Sequence, residues 1–232
     1  MGGTMDMPGL AALPFPVEHV DGGARLVVDL AILGHTDAAD PSGRIGDKTT
    51  QNYFGIDTRG DSYFVAGLLY PGGTIPMPTR PTALSVFPGA PPRLHNEMVW
   101  DFTAAKPVGH HFNRGWVLIN GSREATPDTR GTPIDLPRQE PHLLSTHNFI
   151  LGEFSPDNLS PPMLVNKGVA NGNDPDVEVV YRAIAGGTGP FRFARGQVRQ
   201  ERLGRNSTAL RTFSSFANVL APNYRFTFDI VW

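Results

Sequence analysis

The last ten residues constrain the fold more than any other feature of the chain. From Asn223 to Trp232 the sequence alternates without a break. Tyr224, Phe226, Phe228, Ile230 and Trp232 share one face, and Asn223, Arg225, Thr227, Asp229 and Val231 share the other. A period of two is the side-chain period of a strand, so this segment reads as a half-buried β-strand. A terminal strand with five large apolar residues on one face has to close a core. Cutting the C-terminus is therefore expected to unfold the protein rather than trim a tail.

The same alternation recurs upstream, whereas helical spacing is scarce. Leu26 to Leu33 is an apolar run that stops at Gly34. Asp61 to Tyr70 is aromatic and apolar and stops at Pro71-Gly72-Gly73. Met98, Trp100 and Phe102 share one face of a short segment. Trp116 to Asn120 ends in Asn120-Gly121, a strong turn signal. Leu143 to Phe154 alternates polar and apolar residues, and Val177 to Ala185 ends at Gly186-Gly187. The 26 glycines and 22 prolines punctuate these runs and crowd residues 71–92, 121–141 and 155–176. Those stretches read either as rims over a cavity or as plain decoration. Thr208 to Leu220 fits a helix or an irregular strand equally well. Eight or nine strands separated by turns point to an antiparallel barrel or sandwich.

Several function classes drop out on charge and composition. Lys and Arg number 20 against 22 Asp and Glu, a net charge of −2. A nucleic-acid surface normally carries a clear basic excess, so no nucleic-acid partner is expected. The chain has no cysteine, which excludes disulfides, thiolate nucleophiles and cysteine-held metals. No apolar run approaches the ~20 residues of a membrane helix, so no membrane partner is expected. Met1 to Pro16 lacks the basic start of a secretory signal. The expected location is cytoplasmic, with an already processed secreted form as the alternative.

Residues 185–198 carry the most information: Ala-Gly-Gly-Thr-Gly-Pro-Phe-Arg-Phe-Ala-Arg-Gly-Gln-Val. Gly187-x-Gly189 after a strand suggests a phosphate loop, but Arg192 stands where the third glycine belongs. Alternation of Phe191, Phe193, Arg195 and Gln197 with Arg192, Ala194, Gly196 and Val198 continues the chain as a strand. No helix N-terminus is offered to a phosphate, and a nucleotide site is rejected. The expected local structure is strand, tight glycine turn, strand.

Gly-Gly-Thr-Gly-x-Phe-Arg-x-Ala-Arg-Gly closely resembles the late hairpin of plant dirigent proteins. The Gly-Gly-Thr-Gly-x-Phe and Gly-Gln-Val pieces are similar to those of allene oxide cyclases. Tyr224-Arg225-Phe226-Thr227-Phe228 also resembles that superfamily's last strand. The specific resemblance covers residues 177–232, about a quarter of the chain. It implies an all-β fold, an eight-stranded antiparallel barrel of calycin type with long Pro/Gly-rich loops. Residues 1–20 would be an N-terminal extension and 21–232 a single barrel domain. It further implies a homotrimer, no cofactor and a hydrophobic small-molecule substrate. The implied activity is that of a cyclase or isomerase, steering ring closure of a reactive biosynthetic intermediate in an apolar cavity. Such a cavity fixes one reactive conformer, excludes water and stabilises developing charge. A non-catalytic dirigent role in radical coupling, or a carrier role, is the alternative.

Candidate residues follow from these two sources. If Phe191 and Phe193 face the interior, Arg195 and Gln197 do too. Arg195, in the family's Ala-Arg-Gly, would then bind a carboxylate or a developing oxyanion, or else serve as a structural ion-pair partner. Ser145, His147, Phe149, Leu151 and Glu153 share a face. Turned inward, that face offers His147 or Glu153 as a general acid or base, with Phe149 as lining. The ordinary alternative turns it outward, with Ile150 inside. Asp29 interrupts an apolar strand, so it is either paired or an inward acid. Asp37 is a candidate by resemblance to the end of the first dirigent strand. Tyr53 is a candidate proton donor or a core tyrosine. Trp100 is a candidate lining residue.

A metal site is the third reading and is not adopted. His95-x-Glu97 puts an imidazole and a carboxylate on one strand face, and His110-His111 follows. Adjacent histidines on a strand point to opposite faces, so only one of that pair can serve as a ligand.

Overall fold

The computed structural model describes residues 9–37, 62–77, 82–84, 93–95, 99–119, 142–153, 159–171, 179–210 and 219–232. The strands are β1 (Val17–Val20), β2 (Gly23–Asp37), β3 (Ser62–Pro71), β4 (Thr82–Leu84), β5 (Arg93–His95), β6 (Val99–Trp100), β7 (Gly109–Ile119), β8 (His142–Leu151), β9 (Met163–Asn171), β10 (Val179–Gly187), β11 (Arg195–Leu210) and β12 (Val219–Val231). Eight of them close a barrel in the order β2-β12-β11-β10-β9-β8-β7-β3, with β3 pairing back onto β2. Every pair in that ring is antiparallel. The fold is the eight-stranded antiparallel barrel expected from the sequence. No helix among the described residues is long and apolar enough to cross a membrane.

The terminal strand closes the ring. β12 lies between β2 and β11, and Phe226, Phe228 and Ile230 are buried with Tyr224 and Trp232 packed against the same core. Ala24, Leu26, Val28, Leu30 and Ile32 of β2 meet them from the adjacent wall. Each large side chain buried this way contributes about 1.5–3 kcal/mol, so loss of this strand removes most of one wall's core.

The wall is also covered from outside. Ala31 and Tyr70, on the opposite faces of β2 and β3 from Leu30 and Leu69, join Ile75, Trp100 and Leu203 in a second buried cluster. The Tyr70 hydroxyl donates to the Phe102 carbonyl at 3.0 Å. Leu10 and Phe15 belong to the main core, and β1 pairs with β2. The chain therefore contributes to the barrel's packing from before residue 21.

The glycine-rich hairpin departs from the expected strand-turn-strand. β10 ends at Gly187, and a single 3₁₀ turn, Gly189–Phe191, follows with Gly189 at φ 60°. β11 starts only at Arg195. Pro190 fixes a helical φ at the start of this turn, which is why the alternation from Phe191 does not make a strand. Thr188 ties the turn to β9, its hydroxyl accepting from the Met163 N–H at 3.0 Å and its own N–H donating to the Met163 carbonyl at 2.8 Å. The distinctive Gly-Gly-Thr-Gly segment thus shapes one end of the barrel.

A candidate polar site inside an aromatic barrel

Register sets the site. His147 in the middle of β8 is paired with Asn113 of β7 on one side and Asn166 of β9 on the other. One layer toward the Gly189–Phe191 end, Phe149 is paired with His111 and Leu164. One layer the other way, Ser145 is paired with Gly115 and Gly168. All nine positions but Gly168 are buried, and Gly168 is half-buried. The inward face of β8 is therefore Ser145, His147, Phe149 and Leu151, the reading in which Ile150 is not inside.

These side chains form one connected row. Arg182 of β10 donates through Nη1 to the Ser145 hydroxyl at 2.6 Å and to the Gly168 backbone carbonyl at 3.2 Å, and through Nε to the Gln200 side-chain oxygen Oε1 at 3.1 Å. Ser145 Oγ lies 3.1 Å from His147 Nε2. His147 Nδ1 lies 3.0 Å from His111 Nε2. Gly168 makes room for the cation. A Cβ there would stand 3.1 Å from the Arg182 side-chain stem, tighter than ordinary contact.

Aromatic rings enclose the far end of the row. The His111 ring lies 4.9 Å from that of Phe149 and 6.3 Å from that of Phe226. Phe149 meets Phe226 and Phe228 edge-on at 4.8 and 5.0 Å. β7 and β12 are on different walls, so the rings reach across the lumen. Burial, with the Arg182 cation nearby, pushes His111 down to about 3. Burial, then Arg182 and His111, holds His147 well below the ordinary imidazole range. Both rings are neutral at pH 7.

The row is incompletely satisfied. His111 Nδ1, Asn113 Oδ1 and both polar atoms of the Asn166 amide are buried with no hydrogen-bond partner among the described residues. Buried polar atoms are nearly always paired, so a group of unpaired ones in one lumen sets this site apart from an ordinary core. Chemically the arrangement offers neutral donors and acceptors, with one guanidinium behind them, in a medium that strengthens every such contact.

The other sequence candidates are dispersed. Asp29 is fully buried but on the outer side of β2. It accepts from Arg225 Nε and Nη2 at 2.7 and 3.0 Å and from the Gly73 and Ile75 N–H groups at 2.9 and 2.8 Å. Arg225 is raised above its ordinary value, chiefly by its hydrogen bond to Asp29. Of the two readings of Asp29, paired or inward acid, the geometry is that of the pair. Glu153 is exposed and bridges Lys106 at 3.1 Å. Arg195 and Gln197 are exposed, and Phe193 is 63% exposed. The inward placement expected for these three does not occur, because the 3₁₀ turn changes which face of β11 points in. Phe191 alone of that set is buried, stacked on Trp232 at 6.3 Å. Trp100 packs edge-on against Tyr70 at 5.0 Å in the outer cluster. Asp37 pairs with Tyr63 in the strand register, its side chain lying outside the described residues, as does Tyr53 altogether.

Sequence reasoning does not single out Ser145 or Arg182 as chemistry-bearing residues, and it considers His111 only as one of a pair of possible metal ligands. The signal for His111 was inverted. In Gly109-His-His-Phe-Asn-Arg-Gly-Trp116, the inward residues are the glycines, His111 and Asn113, while Phe112 and Trp116 lie on the other face. Reading the apolar face as the core face puts His111 outside. Its placement opposite to His110 does follow from strand alternation. Among the described residues no three His, Cys, Asp or Glu side chains group to hold a metal ion. Glu97 and the side chain of His95 lie outside the described residues.

No family model matches the sequence, and no curated protein matches it. Solved structures of similar architecture include two pterocarpan synthase dirigent proteins, each 13% identical over 89% of this chain. One is covered over 81% of its length with a TM-score of 0.45, the other over 93% with a TM-score of 0.47. Pyocyanin demethylase is 11% identical, over 89% of this chain and 99% of its own, with a TM-score of 0.40. At these values the eight-stranded closure stands on the strand register of this chain itself.

Proposed function

We propose that the barrel binds a small, largely apolar molecule in its lumen and steers an isomerisation or ring closure of that molecule without a cofactor. One observation carries this reading. A connected row of Arg182, Ser145, His147 and His111 is buried among Phe149, Phe226 and Phe228 and ends in unpartnered polar atoms. An ordinary core would fill these positions with aliphatic side chains, because a half-satisfied polar network is less stable than an apolar one. In a dry lumen a few preorganised dipoles stabilise charge that develops during rearrangement, and the aromatic walls hold one conformer. His147 and Phe149 are retained here as site residues. His111, Ser145 and Arg182 are added to them.

The test is native mass spectrometry of the purified protein, followed by denaturation and extraction. A co-purifying apolar molecule is the expected result, and its structure defines the precursors to assay for turnover. Loss of turnover in His111→Phe with retained thermal stability would confirm the site. Turnover of such a precursor unaffected by His111→Phe and His147→Phe would sink it.

A further inference from the structure

The hydrogen-bond row has a direction, and the direction can be read from its charged end. Arg182 can only donate, so Ser145 Oγ accepts from it at 2.6 Å. The serine proton is then free to point at its other partner among the described residues, His147 Nε2, 3.1 Å away. That nitrogen accepts and carries no proton, so the proton of neutral His147 sits on Nδ1. Nδ1–H donates to His111 Nε2 at 3.0 Å. By the same step the proton of neutral His111 sits on its own Nδ1. This is the atom left without a partner.

The opposite direction is less favourable on two independent counts. Ser145 would accept from both Arg182 and His147, and its buried hydroxyl proton would have no acceptor among the described residues. The row would also turn its N–H dipoles toward a cation instead of away from it. A protonated ring would place a second cation in the same buried site. Only one arrangement pairs every group in the row except its last donor.

We infer that Arg182, Ser145 and His147 are positioning residues that hold His111 as a fixed Nδ1–H donor in the lumen, and that this donor binds a carbonyl-type oxygen of the ligand. This rests on the reading of the lumen as a ligand site. The donor is neutral, and it stands at the end of a row polarised by Arg182. It therefore suits an oxygen that begins neutral and gains negative charge, such as an enone carbonyl passing toward an enolate. Asn113 Oδ1 and the Asn166 amide, on either side of His147 in register, are the further polar atoms such a ligand meets.

Two measurements test this on the full chain. Long-range ¹H–¹⁵N spectra of histidine-labelled protein report each ring's tautomer without any ligand. Both rings are expected as neutral Nδ1–H from pH 5 to 8, and Nε2–H rings would overturn the direction. Ser145→Ala removes one hydroxyl and keeps both rings, and it should turn the pure tautomers into mixtures. A Ser145→Ala protein that keeps pure Nδ1–H rings would overturn the positioning role. Binding of 2-cyclohexenone and cyclohexene, which share a ring and differ by the carbonyl oxygen, tests the donor. The enone should bind about tenfold tighter and shift the His111 Nδ1 signal. His111→Phe should erase that preference, and His111→Asn, with its amide N–H placed near Nδ1, should restore part of it. Equal binding of the two probes would overturn the assignment to His111 and leave the small-molecule barrel standing. Binding of neither would overturn both.

Discussion

Among the described residues two arginines meet buried polar partners on opposite sides of the barrel wall, and the two sites are finished differently. Outside, Arg225 meets the carboxylate of Asp29, which also takes two backbone N–H groups from the 73–75 turn. Arg225 Nη2 further donates to the Ile75 carbonyl at 2.9 Å. Asp29 is a closed site: its charge has an opposite partner and both carboxylate oxygens are in use. Inside, Arg182 donates to a hydroxyl, a side-chain amide oxygen and a backbone carbonyl. The row it begins runs through two neutral rings to an unpaired atom. A closed site fastens a loop to the wall. An open one keeps polar capacity for something else. Burial of a charge is thus a poor guide to function, and the saturation of its partners is a better one.

Acid should expose the difference most strongly. His111 and His147 lie below the unfolded imidazole value of about 6.5. Above pH 6.5 neither state binds these protons, and their contribution to stability is complete. Below pH 6.5 the unfolded chain binds them and the folded protein does not, until its own much lower values are reached. Stability should therefore fall as pH falls, by about 1.4 kcal/mol per pH unit for each ring. For His111, held down to about 3, this makes roughly 3 kcal/mol between pH 6.5 and 4.5, and His147 adds to it in the same direction. Urea titrations at stepped pH would measure this, and His147→Phe should make the slope shallower. An unchanged slope in that variant would mean the rings are not buried neutral.

Removing one partner of the closed site comes next. Asp29→Ala leaves Arg225 without its carboxylate and two N–H groups without an acceptor. The expected loss is about 3–5 kcal/mol in urea unfolding. The paired replacement Asp29→Leu with Arg225→Met should recover much of it, because the pair holds structure and performs no chemistry. Histidine tautomers inside the lumen should not respond to either change. A tautomer response would mean that the two sites are coupled through the wall.

Gly168→Val probes the open site through its support. The new side chain would press on the Arg182 stem, whose nearest atom stands 3.1 Å from the added Cβ position. Overpacking of this kind is expected to cost about 1–3 kcal/mol. The informative readout is the tautomer state of His147, which should become mixed as Arg182 shifts away from Ser145. Loss of stability with tautomers unchanged would show that Gly168 serves the fold alone.

The contrast between the two sites also explains what the sequence disclosed. Periodicity is enough for an all-β barrel or sandwich, because β2 and β12 place aliphatic and aromatic residues inward at every second position; the choice of a barrel rests on the resemblance. Phe191 also came out buried, though through a turn and not a strand. The pattern fails along β7, where the lumen is lined by glycines, His111 and Asn113, and the aromatic face lies on the other side. A polar lumen inverts the rule that assigns the apolar face to the core. Asp29 was legible as an exception in an apolar strand, but its partner lies 196 residues away, which no local pattern reveals. Pro190 broke the alternation of the glycine hairpin, so Arg195 and Gln197 moved to the surface while Val198 turned in. His147 was visible as one of a polar set. The set became a site only once register brought β7, β9 and β10 to it.

The smallest effects are expected where sequence candidates fell on the surface, and they calibrate the rest. Glu153 pairs with Lys106 at 3.1 Å, their side chains 54% and 80% exposed. An ion pair that open to water contributes less than about 1 kcal/mol, because solvent screens the attraction and two flexible side chains must be ordered. Glu153→Gln should move the urea midpoint by less than that and leave cyclohexenone affinity unchanged. Arg195→Gln should be similarly mild, since its side chain lies on the exposed face at the first residue of β11. Both variants keep the His111 row intact. A large loss of enone binding in either one would mean that the ligand enters from the Gly189–Phe191 end of the barrel. The aromatic layer of Phe149, Phe226 and Phe228 would then have to part to admit it.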